Sequence, residues 1–465
     1  DERAARRLPS ELSRLRRTGS AVPEDAQRYT KALRQLDLVD FDDLIALPVA
    51  LLEADPKLAA GYRERYRWIS VDEYQDVDEQ QYRLLRLLAA SLLDPASRSS
   101  GDANLTAIGD PDQAIYRFRG ADVGYFLRFQ QDFAGARTVQ LTRNYRSNAH
   151  ILTGALQLIS PTTLVPDRVL WPMGRHGEAR VGIHHAADER TEASFVVRTI
   201  EQLLGGASFH ALDSGRVDTD GTQGLGFSDF AVLYRTERQA RPVIDALTQA
   251  GLPFQKRSHD RLADRPGVDR ILVELEYVPA ESARSVVERV RRAAAAVLHR
   301  VPTSERDARA SEIHTAVDLL KPLALRCGDD LELFRTELSL GVEVDTLDPR
   351  ADRVSLLTLH AAKGLEFPVV FVIGCEDGLL PLCWPGSQPD ADEEQIREER
   401  RLLFVGMTRA QRHLYLSHAA ERVRQGAARK ASRSPFLADL DMTVCEQIGE
   451  AVPRRRPRDV QLRLL

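Results

Sequence analysis

Short apolar runs alternate with amphipathic stretches along the chain, an order that predicts α/β units built around mostly parallel sheets. Residues 1–60 are charged and helical in period, apart from the apolar patch Leu44–Leu52. Trp68-Ile69-Ser70-Val71 is a short apolar run that stops abruptly at Asp72-Glu73, which sets carboxylates at the tip of a strand. Leu105–Ile108 repeats the design and stops at Gly109-Asp110-Pro111-Asp112. Thr138–Leu141 reads as a third strand, ending at Arg143-Asn144-Tyr145-Arg146. In open parallel sheets ligands bind beyond the carboxyl ends of strands, and the polar clusters fall there.

Gly205–Phe227, rich in Gly, Asp, Ser and Thr, reads as a surface loop, and Phe230–Tyr234 as a buried strand. From about 256 to 350 the strand signal disappears. The Arg- and Ala-rich segments Ser282–Leu298 and Ser304–Leu320 predict helices there, so the stretch reads as a helical insert. Strand pattern returns at Val354–Leu359, Val369–Ile373 and His413–Leu416. Beyond residue 446 the chain turns Pro- and Arg-rich and reads as a flexible tail.

Composition narrows the class. The 465 residues suffice for two to four domains at roughly 100–200 residues each. With 43% hydrophobic and 29% charged residues the chain is globular rather than disordered. No apolar run reaches the ~18 residues of a spanning helix, and the charged N-terminal stretch does not read as a secretory signal. Cys327, Cys375, Cys383 and Cys445 form no C-x-x-C pair, against a zinc ribbon or a disulfide framework. A cytoplasmic protein, with no membrane partner, is expected. The net charge of −5 gives no whole-chain basic footprint for nucleic acid. Of the 64 basic residues six are Lys and the rest Arg; Arg suits bidentate phosphate contacts, although GC-rich coding produces the same bias.

The candidate chemistry sits at the strand ends. Adjacent carboxylates in Asp72-Glu73-Tyr74-Gln75-Asp76 suit a nucleotide hydrolase, one holding Mg²⁺ on the phosphates and its neighbour polarising water; a solvated acidic turn is the bland alternative. Gln113, in the turn after the next strand, can orient a water or read a γ-phosphate. Tyr116-Arg117-Phe118-Arg119 interleaves aromatics that can stack bases with guanidiniums that can hold phosphates, a pattern that core packing plus surface charge also produces. Arg400, Arg401 and Arg409 occur in a helical segment expected to start at Glu398-Glu399; an Arg there is a solvated face or, aimed at a phosphate, an arginine finger. His184-His185 are adjacent, so they point to opposite sides of a strand and form no metal pair. No G-x-S-x-G elbow and no multi-carboxylate nuclease cluster occurs.

Together these stretches resemble the UvrD/Rep/PcrA family of superfamily 1A DNA helicases. VDEYQD (71–76) resembles motif II, GDPDQAIYRFRGA (109–121) motif III, and LTRNYRS (141–147) motif IV. TLHAAKGLEFPVVFVIGCEDGLLP (358–381) resembles motif V with its extension, and EERRLLFVGMTRA (398–410) motif VI. FAVLYRT (230–236) and DFDDLI (40–45) are more divergent matches. The resemblance implies an α/β fold of two RecA-like parallel-sheet lobes, the first incomplete, with helical insert subdomains. Residues 1–62 would be a remnant of a helical 1B-like subdomain and 63–140 a partial lobe 1A. Residues 141–255 and 351–445 would form lobe 2A, 256–350 a short 2B-like insert, and 446–465 a basic tail.

The resemblance also assigns roles. Asp72 would ligate Mg²⁺, Glu73 would be the general base, and Gln113 would sense the γ-phosphate of ATP. Tyr145 would stack on adenine, Arg146 would reach the γ-phosphate, and Glu366, with Gly364 in the same motif, would contact the nucleotide. Arg409 would be the finger. Tyr116 and Phe118 would line the single-strand track, with Arg119, Thr358 and His360 near the DNA phosphates. The activity implied is ATP-dependent 3′–5′ translocation on single-stranded DNA and at single-strand/duplex junctions, with ATP and Mg²⁺ as cofactors.

Three departures temper the transfer. No G-x-x-x-x-G-K-[ST] phosphate loop occurs, and only about 70 residues precede Asp72. With Asp rather than Met in first place, the expectation is a piece of a longer helicase; an ATP-dead DNA-binding scaffold and one half of a split motor are the alternatives. Phe118 stands where many relatives carry Trp; Phe also stacks, as a weaker platform. The insert is short, which bears on duplex engagement. Finally, Gln461-Leu462-Arg463-Leu464-Leu465 resembles peptides that dock on the bacterial sliding clamp, and an ordinary frayed terminus is the alternative.

Overall fold

The computed structural model describes residues 12–13, 15, 24–89, 104–133, 135–174, 177–205, 224–257, 267–278, 285–300, 306–340, 352–382, 389–424 and 427–449. Most of the Gly205–Phe227 loop, Cys383 and the clamp-like Gln461–Leu465 lie outside the described residues. The chain divides into two compact units. One comprises Asp1–Arg143, Ile159–Trp171 and Gln388–Phe404; the other comprises Asn144–Leu158, Pro172–Ser387 and Val405–Leu465.

In the first unit, helices α1 (Glu24–Gln35), α2 (Asp43–Ala54) and α3 (Pro56–Arg65) precede strand β1 (Trp68–Val71). Asp55 starts α3 by accepting bonds from the Lys57 and Leu58 amides, with Pro56 in the first turn where no N–H is needed. Helix α4 (Glu79–Leu88) opens on a reciprocal capping box between Asp78 and Gln81. Strand β2 (Asn104–Ala107) runs parallel to β1, with Trp68 opposite Asn104 and Val71 opposite Ala107. Parallel pairing brings both carboxyl-terminal turns to the same end. The Ile108 amide donates to Val71 at 2.8 Å and the Tyr74 amide to Ile108 at 2.9 Å. Tyr74, Val77, Tyr82 and Tyr125 form a small core beneath those turns, joined by the short helices α5 (Gly124–Leu127) and α6 (Phe129–Asp132). Tyr82 stacks on Tyr125 at 4.2 Å.

The strand expected at Thr138–Leu141 does not form. Val139 and Leu141 are 70% and 82% exposed, and pairing begins only at β3 (Arg143–Asn144) with β4 (Trp171–Pro172). An apolar run of strand composition still needs a partner for its backbone groups, and none pairs with this one among the described residues.

The second unit opens with α7 (Ala149–Ile159), β5 (Val181–Asp188) and α8 (Glu189–Leu203), the last capped by Asp188 on the Arg190 and Thr191 amides. Next come β6 (Phe230–Tyr234), α9 (Ala240–Gln249) and β7 (Phe254–Arg257). Helices α10 (Val268–Leu275), α11 (Val286–Arg300), α12 (Arg306–Cys327) and α13 (Leu331–Leu340) follow without a strand among their described residues. Strands β8 (Val354–Thr358) and β9 (Phe367–Val372) restore the α/β pattern, and α14 (Pro389–Met407) leads into β10 (Ala410–Arg424), β11 (Ala427–Lys430) and β12 (Cys445–Ile448). The sheet runs β12-β5-β10-β9-β6-β8-β7, parallel along its described ladders, with β11 antiparallel on β10.

Every residue of β6 is buried, as are nearly all of β8 and β9. Continuous apolar runs of this kind belong to a sheet covered on both faces. Its core joins Phe195, Val196, Val232, Leu356 and Phe371 to the helices α8 and α9. The four helices from Val268 to Leu338 carry a separate apolar core, with Ile271, Ile313 and Phe334 fully buried.

Helix α14 begins at Pro389, not at Glu398-Glu399 as expected. The helix starts nine positions before that pair, so Glu398 and Glu399 lie within it. Arg409 lies past its end. Among the described residues, no helix is long and apolar enough to cross a membrane, and Cys327, Cys375 and Cys445 are buried free thiols.

Candidate functional site

Two sets of side chains stand at strand ends, one in each unit. In the first unit, β1 delivers Asp72 and Glu73 to an exposed turn. Glu73 has φ 51°, a left-handed conformation that costs a residue with a Cβ on the order of 1 kcal/mol. Three local bonds offset it. The Glu73 amide donates to Asp72 Oδ1 at 2.9 Å, its carbonyl accepts the Asp76 amide at 2.9 Å, and Gln75 Nε2 donates to its carboxylate. Gln75 is wholly buried, and its Oε1 accepts the Asp110 amide at 3.0 Å, which ties the acidic turn to the turn after β2. Gly109 is required at that crossing, because a Cβ there would overlap Gln75 Oε1.

Gln113 stands in the second turn, its Nε2 donating to Asp110 Oδ2 at 2.9 Å. Asp110 in turn accepts two bonds from Arg168, at 2.7 and 2.5 Å, and Arg168 also reaches Asp112 Oδ2 at 2.9 Å. Burial alone would push the Asp110 carboxyl up, but the Arg168 guanidinium outweighs it and holds the group below the usual carboxylate range. Sequence reasoning missed Arg168. It belongs to no motif, and among so many arginines nothing local distinguishes it.

Tyr116, Phe118 and Arg119 follow on a tight turn closed by Gly120 at φ 96°. The Arg119 guanidinium sits 5.1 Å from the Tyr116 ring centre and 5.5 Å from that of Phe118, a cation–π arrangement that orients both rings. Phe118 is 56% exposed, whereas burial pushes the Tyr116 hydroxyl up to about 12. Beside this turn lies a cavity of about 880 Å³ lined by Gln75, Tyr116, Arg117, Tyr125, Thr162 and Arg401, among others. Arg401, buried, fastens the same loop by donating to the Ala114 carbonyl at 3.1 Å.

In the second unit, Tyr145 is exposed, while Arg146 is ion-paired with Glu366. The Arg146 bond, opposed by partial burial, draws the Glu366 carboxyl below its ordinary range, and Gln411 adds a bond at 3.4 Å. Thr358 ends β8 and its hydroxyl accepts the Ala361 amide at 3.2 Å; His360 and Lys363 lie on the same turn, which Gly364 closes at φ 84°. Arg409 is only 2% exposed. Its guanidinium donates to the carbonyls of Val405 at 2.9 Å and Leu365 at 3.3 Å and to the Thr408 hydroxyl at 3.1 Å. Asp72, Glu73 and Gln113 thus share one bonded network, and Arg146, Glu366 and Arg409 gather around the Leu365-Glu366 turn. His184 is buried, stacked on Phe195 at 3.8 Å, while His185 is exposed.

A divalent cation suits Asp72: the carboxylate is exposed, ends a parallel strand, and no cation pairs with it among the described residues. Mg²⁺ commonly takes one or two carboxylates and completes its shell with phosphate and water. No group of three or more His, Cys, Asp or Glu side chains forms a protein-only metal cage among the described residues.

Parallel-strand sheets with helical segments inserted, and acidic and glutamine turns after β1 and β2, define an α/β protein with its candidate site at strand ends. The chain belongs to the UvrD-like helicase family. Residues 6–134 match the UvrD/REP helicase N-terminal domain, and 139–296 with 305–421 match the UvrD-like helicase C-terminal domain. Its parallel-strand sheets and intervening helical segments are consistent with RecA-like lobes carrying helical inserts. Among curated relatives, the ATP-dependent DNA helicase PcrA of Leuconostoc citreum is 29% identical over 93% of this chain and 65% of its own length. That of Bacillus subtilis (strain 168) is 28% identical over 91% of this chain and 64% of its own length. The chain therefore spans about 65% of the length of these relatives. A solved C-terminal domain of a possible DNA helicase from Lactobacillus plantarum is 14% identical, covering 65% of this chain and 98% of that one with a TM-score of 0.28.

Proposed function

We propose that this chain is the larger part of an ATP-dependent motor that moves 3′ to 5′ along single-stranded DNA and opens single-strand/duplex junctions in the cytoplasm. The observation that carries the reading is the bonded path Glu73–Gln75–Asp110–Gln113, which links an acidic strand end to a glutamine turn three residues before Tyr116. Such a path lets a change at the nucleotide alter the DNA-facing turn.

Asp72 would hold Mg²⁺, which neutralises charge on the β- and γ-phosphates and orients them. Glu73, held in its left-handed turn, would take the proton from the attacking water. Gln113 would read the γ-phosphate. Arg146 would leave Glu366 for the same phosphate, and Arg409 would exchange its carbonyl bonds for the charge that develops in the transition state. Tyr145 would stack on the adenine, with Glu366 and Gly364 on the ribose side. Tyr116, Phe118 and Arg119, with Thr358 and His360, would follow the strand by stacking and phosphate contacts.

The sequence contains no G-x-x-x-x-G-K-[ST], and we assign the phosphate cradle to a further segment of a longer polypeptide. On that assignment the 465 residues alone bind ATP weakly, whereas an ATP-dead scaffold would lack the cradle in its full-length form too. The test is Glu73→Gln in the full-length polypeptide. ATP and single-stranded DNA still bind, and turnover falls by a factor of about 10² or more. Unchanged turnover would remove Glu73 from the mechanism.

A further inference from the structure

Arg168 lies outside the motif-like stretches, and its guanidinium makes three charged bonds. Both of its terminal nitrogens donate to Asp110, at 2.7 and 2.5 Å, and one also donates to Asp112 at 2.9 Å. Asp112 is fully buried and accepts further bonds from the Thr163 hydroxyl at 2.6 Å and the Leu164 amide at 2.7 Å. The guanidinium also packs 5.2 Å from the Phe404 ring centre. Apart from Asp110, Arg168 is thus held by Asp112 and by the Phe404 ring.

Asp110 joins this cluster to Gln113 by a side-chain bond, Nε2 to Oδ2 at 2.9 Å. The same Oδ2 takes one prong of the Arg168 fork. A carboxylate gripped by a planar fork has one orientation rather than a rotor's range, and it passes that orientation to whatever bonds its remaining lone pairs. We propose that Arg168 is a positioning residue for Gln113, acting through Asp110. This rests on the reading above, in which Gln113 couples the nucleotide to the DNA-facing turn. Arg168 belongs to the segment Ile159–Trp171, which clusters with the first unit although the chain on both sides of it clusters with the second. The orientation of Gln113 therefore depends on a segment that leaves one unit and returns.

Two experiments decide it. Hydrogen exchange on the 465-residue chain compares Arg168→Ala and Arg168→Lys with the wild type; Lys keeps the charge over both carboxylates, so it remains informative if Ala fails to fold. Arg168→Ala speeds exchange of the Asp112 and Gln113 amides at least about tenfold while the β6 and β9 amides stay protected, and Lys lies between. Unchanged exchange at those two amides overturns the proposal. The second experiment is a double-mutant cycle on DNA-stimulated ATP turnover in the full-length polypeptide. Arg168→Ala lowers kcat about tenfold with KM for ATP within about twofold, Lys recovers most of the loss, and in a Gln113→Ala background Arg168→Ala costs nothing further. Full additivity with Gln113→Ala contradicts the route through Gln113. A wild-type protein without ATP turnover contradicts the motor reading instead, and the exchange experiment then still decides whether Arg168 holds the Gln113 turn.

Discussion

Glu73 shows at the scale of one residue how the site is built. A left-handed glutamate persists only because Asp72, Gln75 and Asp76 bond it from the same turn, and the conformation carries its carboxylate past the end of β1. Arg409 shows the reverse case, a side chain fully engaged with Val405, Leu365 and Thr408. As a finger it must give up those bonds for a phosphate. Arg409→Ala is expected to lower turnover by a factor of about 10³ while leaving single-strand affinity unchanged, as read by steady-state ATPase and fluorescence anisotropy. Phe118 makes a separate claim. It is exposed beside Arg119, so Phe118→Ala should weaken single-strand binding by about 1–3 kcal/mol, and unchanged anisotropy would make the ring a packing group only.

Elements were legible in the sequence where burial left only one reading. Strands β6, β8 and β9 are continuous apolar runs because helices cover both faces of the sheet, and the strand-end carboxylates of β1 follow from the abrupt change at Asp72. Thr138–Leu141 has the same composition without a partner, and composition cannot supply one. The start of α14 was hidden because Glu398-Glu399 imitates a first turn, while the real one at Pro389 lies in a polar stretch. Arg168 was illegible for a third reason: its partners stand more than fifty positions away, and no local spacing records them.

Two predictions belong to elements. Within the helical core from Val268 to Leu338, Phe334 is fully buried, and Phe334→Ala should cost about 3–5 kcal/mol, read by urea unfolding with exchange showing the loss concentrated in α10–α13. In the sheet, His418 of β10 stands opposite His185 of β5, their rings stacked at 4.7 Å. Burial, with His185 and Arg433 nearby, pushes the His418 imidazole down to about 4, against about 6.5 for an exposed histidine. The unfolded chain therefore takes up the proton first. Stability contributed by the neutral ring is full above about pH 6.5 and is lost as the pH falls toward about 4. His418→Gln should flatten the stability profile in that window, and an unchanged slope between urea melts at pH 7 and pH 4.5 would contradict it.

At the scale of the whole molecule, family membership rests on long matched stretches, whereas the motor activity proposed above rests on the bonded turns after β1 and β2. The chain spans about 65% of its relatives' length and its 465 residues contain no G-x-x-x-x-G-K-[ST], so on the reading proposed above the test belongs in the full-length polypeptide. With a net charge of −5, the proposed reading has DNA held by local Arg and aromatic groups rather than by an overall field. The most direct measurement is translocation of the full-length polypeptide, followed by stopped flow on single-stranded DNA of several lengths with a dye at one end or the other. A 3′–5′ motor gives, with ATP and Mg²⁺, a lag that grows with length at the 5′ end and none at the 3′ end, and Glu73→Gln abolishes it. A length-dependent lag at the 3′ end, or signals that do not depend on ATP, would contradict the central claim.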